Sequence, residues 1–151
     1  FKIMKDLNRE EKRTTRCICL QLLFASEISN EYKKDDLLDN FFQKSSEPLV
    51  ENINKSQIDY IQKLYETTIL NKDEVDKIIE KKLNNWEMKR VAAIDKVILR
   101  MSISEMLYIE EVPPKVSITE GVEIAKVFST DDSSSFVNGI LDAVYNKIYK
   151  K

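Results

Sequence analysis

At 151 residues, 42% apolar and 33% charged, the chain is long enough for one domain with a real core. It has no histidine, two cysteines and two glycines, and no run of about 18 apolar residues. Those counts argue against a membrane span, remove the commonest general base and metal ligand, and leave too little glycine for a phosphate loop, so a binding protein is expected, not an enzyme.

The net charge of −2 is unevenly spread. Residues 1–16 carry six bases against three acids, and the remainder carries 18 bases against 23 acids. A basic end on an acidic body predicts a local anion-binding patch. The opening FKIMKDLNREEKR lacks the apolar run of a signal peptide. Cys17 and Cys19 diverge by about 200° on a helix, so they do not pair, which suits a reducing cytoplasm.

Residues 8–29 read as a long helix, with Cys17, Leu20, Leu23, Phe24 and Ile28 at helical spacing. Arg9, Lys12, Arg13 and Arg16 form a stripe collinear with Leu20, Leu23 and Phe24. A face that is basic for two turns and then apolar overhangs the core at its start. Leu37, Leu38, Phe41 and Phe42 mark a short second helix, and the polar segment 45–56, with Pro48, reads as a loop. Ile58, Ile61, Leu64 and Thr68 mark a third helix. Val75, Ile78, Ile79 and Leu83 mark a fourth, with Asp73 as candidate cap. The run NNWEM (84–88) breaks the pattern around Trp86.

Residues 90–110 are apolar on most faces, which predicts a central helix stopped by Pro113 and Pro114. Ser117-Ile118-Thr119-Glu120 has the form of a capping box opening a sixth helix through about Phe128. STDDSSS (129–135) reads as a turn, and a last helix follows. The expectation is an all-α, compact bundle of about seven helices in a single domain over 1–151, with the segment 45–56 able to divide two sub-bundles.

Gly139 lies inside the last helix, where it costs about 1 kcal/mol relative to alanine. Two readings stand. Another backbone packs against Gly139 while Phe136 fills the core, or Phe136 stays exposed at a low flank where a base or partner stacks.

The run WEMKRVAAIDKVILRMSISEMLYIEEVPPKVSITEGVEIAKVFSTDDSSSFVNGILD (86–142) resembles the NusB family of bacterial transcription antitermination factors. The matching features include Trp86, Ile94-Asp95, Ile98-Leu99-Arg100, Glu105, the stop at 113–116 and Phe136-Val137-Asn138-Gly139. The first helix is similar too, with Arg13, Arg16, Leu20-Gln21 and Leu23-Phe24. The resemblance implies a non-catalytic, cytoplasmic, all-helical protein that needs no cofactor. It implies pairing with NusE, a small-subunit ribosomal protein, and binding of the boxA element of nascent single-stranded RNA. It further implies entry into the antitermination complex on RNA polymerase, which suppresses termination, notably in ribosomal RNA operons.

On that resemblance Arg9, Lys12, Arg13 and Arg16 would meet RNA phosphates. The alternative is a solvated helix end pairing with Glu10 and Glu11. Phe136 and Asn138 would stack on a base and hydrogen-bond its edge, against core packing and plain exposure. Asp132 is read as a cap of the last helix. Phe24, Tyr60 and Tyr65 would anchor the protein partner, or else pack two helices together. An alternative function is the NusB-like RNA-binding domain of a ribosomal RNA cytosine methyltransferase. That reading needs a following catalytic domain with a cofactor loop and a cysteine nucleophile, so a chain ending at Lys151 is expected not to fit it unless it is a fragment.

Overall fold

A computed structural model describes residues 6–29, 53–83 and 87–150. Among them the chain forms six α-helices and one short 3₁₀ turn, with no strand. The helices are α1 (Arg9–Ser29), α2 (Lys55–Leu70), α3 (Lys72–Lys82), α4 (Ala93–Tyr108), α5 (Pro114–Phe128) and α6 (Asp131–Tyr149), and the 3₁₀ turn is Met88–Arg90. The all-α expectation holds. The expected helix around Leu37–Phe42, most of the segment 45–56 and Trp86 lie outside the described residues.

Contacts cluster into two compact units, Phe1–Glu66 and Thr67–Lys151. In the first unit, both helices open with reciprocal capping boxes. Asn8 Oδ1 accepts the Glu11 N–H at 2.8 Å, while the Asn8 N–H donates to Glu11 Oε1 at 3.1 Å. Asn54 and Gln57 repeat this, both bonds being 3.0 Å. Asparagine replaces the usual Ser/Thr but satisfies the same orphan amides. The two boxes interlock. Gln57 Nε2 donates to the Glu11 carbonyl at 3.2 Å and to Thr15 Oγ1 at 3.4 Å, and Asn54 Nδ2 donates to Glu11 Oε2 at 3.3 Å. Lower down, the Ser26 and Tyr65 hydroxyls share a buried hydrogen bond of 2.7 Å. The buried face of α1 runs through Ile18, Cys19, Leu20, Leu22, Leu23 and Ser26, so of the expected apolar face Leu20 and Leu23 are buried, Cys17 and Phe24 are half-buried and Ile28 is exposed.

In the second unit α4 is central, as its apolar pattern predicts. It packs against α3, α5 and α6. Every residue from Val97 to Met106 is buried, including Arg100, Ser102, Ser104 and Glu105. Arg100 grips Asp76 of α3 with Nε to Oδ1 at 2.7 Å and Nη2 to Oδ2 at 2.9 Å, a bidentate pair that fixes α3 on α4. Ser117 Oγ donates to buried Glu105 at 2.8 Å, joining α5 to α4. Val137, Ile140, Leu141 and Val144 of α6 are buried as expected.

Three helix starts differ from expectation. Pro114 opens α5 at a position whose missing N–H would have no intrahelical partner, so Ser117 lies inside the helix and its hydroxyl goes to Glu105 rather than to a cap. Asn71, not Asp73, precedes α3, and Asp73 sits in its first turn. Thr130 caps α6 by accepting the Ser133 N–H at 3.0 Å, so most of the expected turn 129–135 is helix and Asp132 is no cap.

Candidate nucleic-acid interface

The first two turns of α1 carry the basic stripe. Their geometry is set by the Asn8 box, which holds the Glu11 carboxylate against a backbone amide and Asn54. Glu11 is therefore committed to capping. Arg9 is exposed and Lys12 half-buried, and neither side chain makes a hydrogen bond or ion pair among the described residues. Arg13 is half-buried and has partners within the fold. Arg16 is 2% exposed and is likewise engaged. The stripe is collinear with the core arc, so its last member is drawn into the interior, and the guanidinium of Arg16 is not presented to solvent.

The aromatic residues expected to anchor a partner divide. Phe24 is half-buried and keeps accessible surface. Tyr60 and Tyr65 have none. They share the inward face of α2 with Ile61 and Leu64, and Tyr65 is tied to Ser26. As they stand, both tyrosines pack helices and present nothing to a second protein. Burial pushes the Tyr65 phenol above its ordinary pKa, opposed by the Ser26 hydrogen bond and aided by nearby Cys19.

In the second unit the start of α6 meets the start of α4 at a cleft of about 450 Å³. Arg90, Val91 and Asp132 line it, with Asp95 and Phe136. Asp95 is buried and accepts Ser129 Oγ at 3.0 Å and Ser133 Oγ at 2.9 Å. These bonds tie the α5–α6 junction to α4 and so fix the direction in which α6 leaves. Phe136, one turn on, is half-buried and forms part of the wall. A half-exposed ring beside a guanidinium and a carboxylate has the chemistry to take a planar, charged ligand: a ring can stack, a guanidinium can meet an anion, and a carboxylate can accept from an amino group. Sequence reasoning did not place Arg90 or Asp95 in this site. The available signal was an acid buried in the first turn of an otherwise apolar helix.

Asn138 is exposed but does not join Phe136. Two residues along a helix rotate by about 200°, so it faces the opposite side of α6. There it lines a separate recess of about 400 Å³ with Lys115, Thr119 and Tyr145. Lys115 Nζ lies 5.8 Å from the Tyr145 ring centroid, within cation–π range.

The glycine readings also resolve. Among the described residues a Cβ built on Gly139 would meet no atom within 4 Å, so none of their backbone packs against it. Gly139 is exposed, and Phe136 sits at the rim of its helix. The close approach is at Gly121, where a Cβ would come within 2.5 Å of Ser102 Oγ and 3.0 Å of Leu141 Cδ1. Among the described residues no cluster of three or more acidic, cysteine or histidine side chains could hold a metal ion.

Comparison with known proteins identifies relatives over most of the chain. The family model described as "NusB family" matches residues 13–146. A transcription antitermination protein NusB of Chloroherpeton thalassium is 44% identical over 140 residues, 93% of this chain and 64% of that protein. One of Listeria monocytogenes is 39% identical over 131 residues, 87% of this chain and 93% of that protein. The chain thus spans under two thirds of the first relative and nearly all of the second. A solved structure of antitermination factors NusB and NusE in complex with dsRNA matches with a TM-score of 0.79 at 23% identity. It covers 93% of this chain and 99% of that one, a likeness of fold.

Proposed function

This chain belongs to the NusB family, and we propose that it is a cytoplasmic, non-catalytic transcription antitermination factor. As a single RNA-binding domain it pairs with the ribosomal protein NusE and binds boxA-containing single-stranded RNA. With RNA polymerase it carries transcription past terminators, notably in ribosomal RNA operons. No helix among the described residues is long and apolar enough to cross a membrane.

The observation that carries the RNA reading is the Phe136 cleft, where a partly exposed ring stands beside Arg90 on a rigid, buried scaffold. Phe136 stacks on a base while Arg90, Arg9, Lys12 and Arg13 meet phosphates. Asn138 contacts RNA from its own recess, and Arg16 serves by holding the start of α1. Phe24, the one accessible aromatic of the three expected anchors, meets NusE.

Titration of labelled boxA RNA with a mixture of the protein and NusE tests this. Phe136→Ala should weaken binding by roughly 1–3 kcal/mol, the usual worth of one base stack. Reversing Arg9 and Lys12 to Glu, neither of which makes a side-chain hydrogen bond or ion pair among the described residues, should weaken binding strongly with circular dichroism unchanged. Wild-type affinity in both variants would place the RNA elsewhere.

A further inference from the structure

A third recess, separate from the Phe136 cleft and the Asn138 recess, lies between the C-terminal ends of α3 and α6. It encloses about 260 Å³ and is lined by Ile78, Lys81 and Lys82 of α3 and by Val144, Lys147 and Ile148 of α6. The floor is aliphatic. Val144 is fully buried, Ile78 is half-buried, and Ile148 keeps 39% of its surface exposed. Among the described residues the charged lining is lysine alone, and none of the three ammonium groups makes an ion pair or hydrogen bond. Of the acids on α3, Asp76 is committed to Arg100 at 2.7 Å and Glu74 to Lys77 at 3.5 Å, while Asp73 and Glu80 are exposed and are not among the described lining residues.

Lysines in the last turns of α3 and α6 are favourable to the helix dipoles. That accounts for the residue type but not for an aliphatic recess left open between them. The recess falls below the roughly 300–1,000 Å³ of ordinary small-molecule sites and is the size for one side chain. Among the described residues neither an aromatic ring nor an amide lines the recess to stack on a base or read its edge, which favours a protein over a nucleic acid.

We propose that this groove docks an acidic amphipathic helix of a partner protein. One aliphatic side chain of that helix sits among Ile78, Val144 and Ile148. Its carboxylates, one turn to either side, meet Lys81, Lys82 and Lys147. The surface is independent of the RNA reading, since none of its residues belongs to the phosphate or stacking set.

Fluorescence anisotropy with the full chain tests the proposal. The probe is a labelled helical peptide carrying leucines at i and i+4 flanked by glutamates, with a Leu→Ser peptide of equal charge as control. Saturable binding of the leucine peptide alone is expected. It should weaken by about tenfold or more in Lys81→Glu/Lys82→Glu and in Lys147→Glu, as when close charge pairs are reversed. Ile148→Ser, at an exposed position, should weaken it without loss of helical signal. Equal affinity for the serine peptide, no effect of the lysine reversals in folded protein, or no saturable binding up to millimolar peptide would each overturn the proposal. So would loss of boxA RNA binding in the lysine variants as large as the loss of peptide binding, which would assign the groove to nucleic acid. Because the readout is a peptide, the RNA assignment can fail while this one stands, and the reverse.

Discussion

The two glycines show how far one residue type can mislead. Both stand in helices, and a missing side chain looks the same in sequence whether it admits a neighbour or leaves a gap. Gly121 admits one: the Ser102 side chain and the Leu141 methyl occupy the space a Cβ would need. Gly121→Ala should therefore destabilise the fold by about 1–3 kcal/mol through overpacking, read as a lower midpoint in urea. Gly139 has open space, so Gly139→Ala should raise stability by roughly 1 kcal/mol on helix propensity alone. A residue that weakens its own helix with no internal compensation fits a surface a ligand approaches closely. The same variant should then bind boxA RNA less tightly while melting higher, and unaltered RNA affinity would remove that explanation. Burial sets a different kind of limit at Tyr65, whose raised pKa was not legible because the pattern of α2 does not say what faces the phenol. The unfolded chain deprotonates first, near the ordinary tyrosine value of about 10, so stability contributed by neutral Tyr65 is full below that pH and falls as pH rises toward the folded value. A thermal scan series from pH 8 to 11 should show this fall, and Tyr65→Phe, though less stable at pH 8, should lose less over the series.

Helix bodies were readable because a 3.6-residue apolar period is repeated over several turns, so single errors average out. The centrality of α4 and the core side of α6 followed from that period alone. Helix starts rest on one or two side chains, and there the reading failed. Ser117-x-x-Glu120 has the right letters for a box, yet Pro114 had already begun the helix and Glu105 supplied Ser117 with a better partner. The real boxes use Asn8 with Glu11 and Asn54 with Gln57, a substitution that a Ser/Thr template overlooks. Their interlock gives a specific energetic expectation. Asn8→Ala and Asn54→Ala should each cost about 1 kcal/mol, the usual worth of a cap. Because Glu11 serves both boxes, the double variant should cost less than the sum, with a coupling of about 0.5 kcal/mol or more by double-mutant cycle. Strict additivity would mean the two helix starts are energetically independent.

For the whole molecule, family and fold were legible because a long ordered set of matched positions constrains both at once, whereas the candidate site was legible only in part. Charge could nominate the stripe on α1, but not that Arg16 would be drawn into the core, since an arginine collinear with leucines reads the same whether it overhangs them or joins them. The two-residue spacing of Phe136 and Asn138 does put them on opposite sides of one helix, but it could not reveal that each side opens onto a recess of its own. What charge does determine is the response to salt. A chain of net charge −2 has no overall positive charge to attract RNA, so binding depends on the few cations that touch phosphate. If Arg9, Lys12, Arg13 and Arg90 each neutralise one phosphate of a single strand, log affinity falls against log salt with a slope near −3, about a fiftyfold loss between 50 and 200 mM. Each single replacement of those bases by Gln should flatten the slope by about 0.7, whereas Phe136→Ala should lower affinity at every salt and leave the slope alone. A Phe136 variant that changed the slope would show the ring acting through the basic residues, and a Lys12→Gln variant that did not would take Lys12 out of the phosphate contacts.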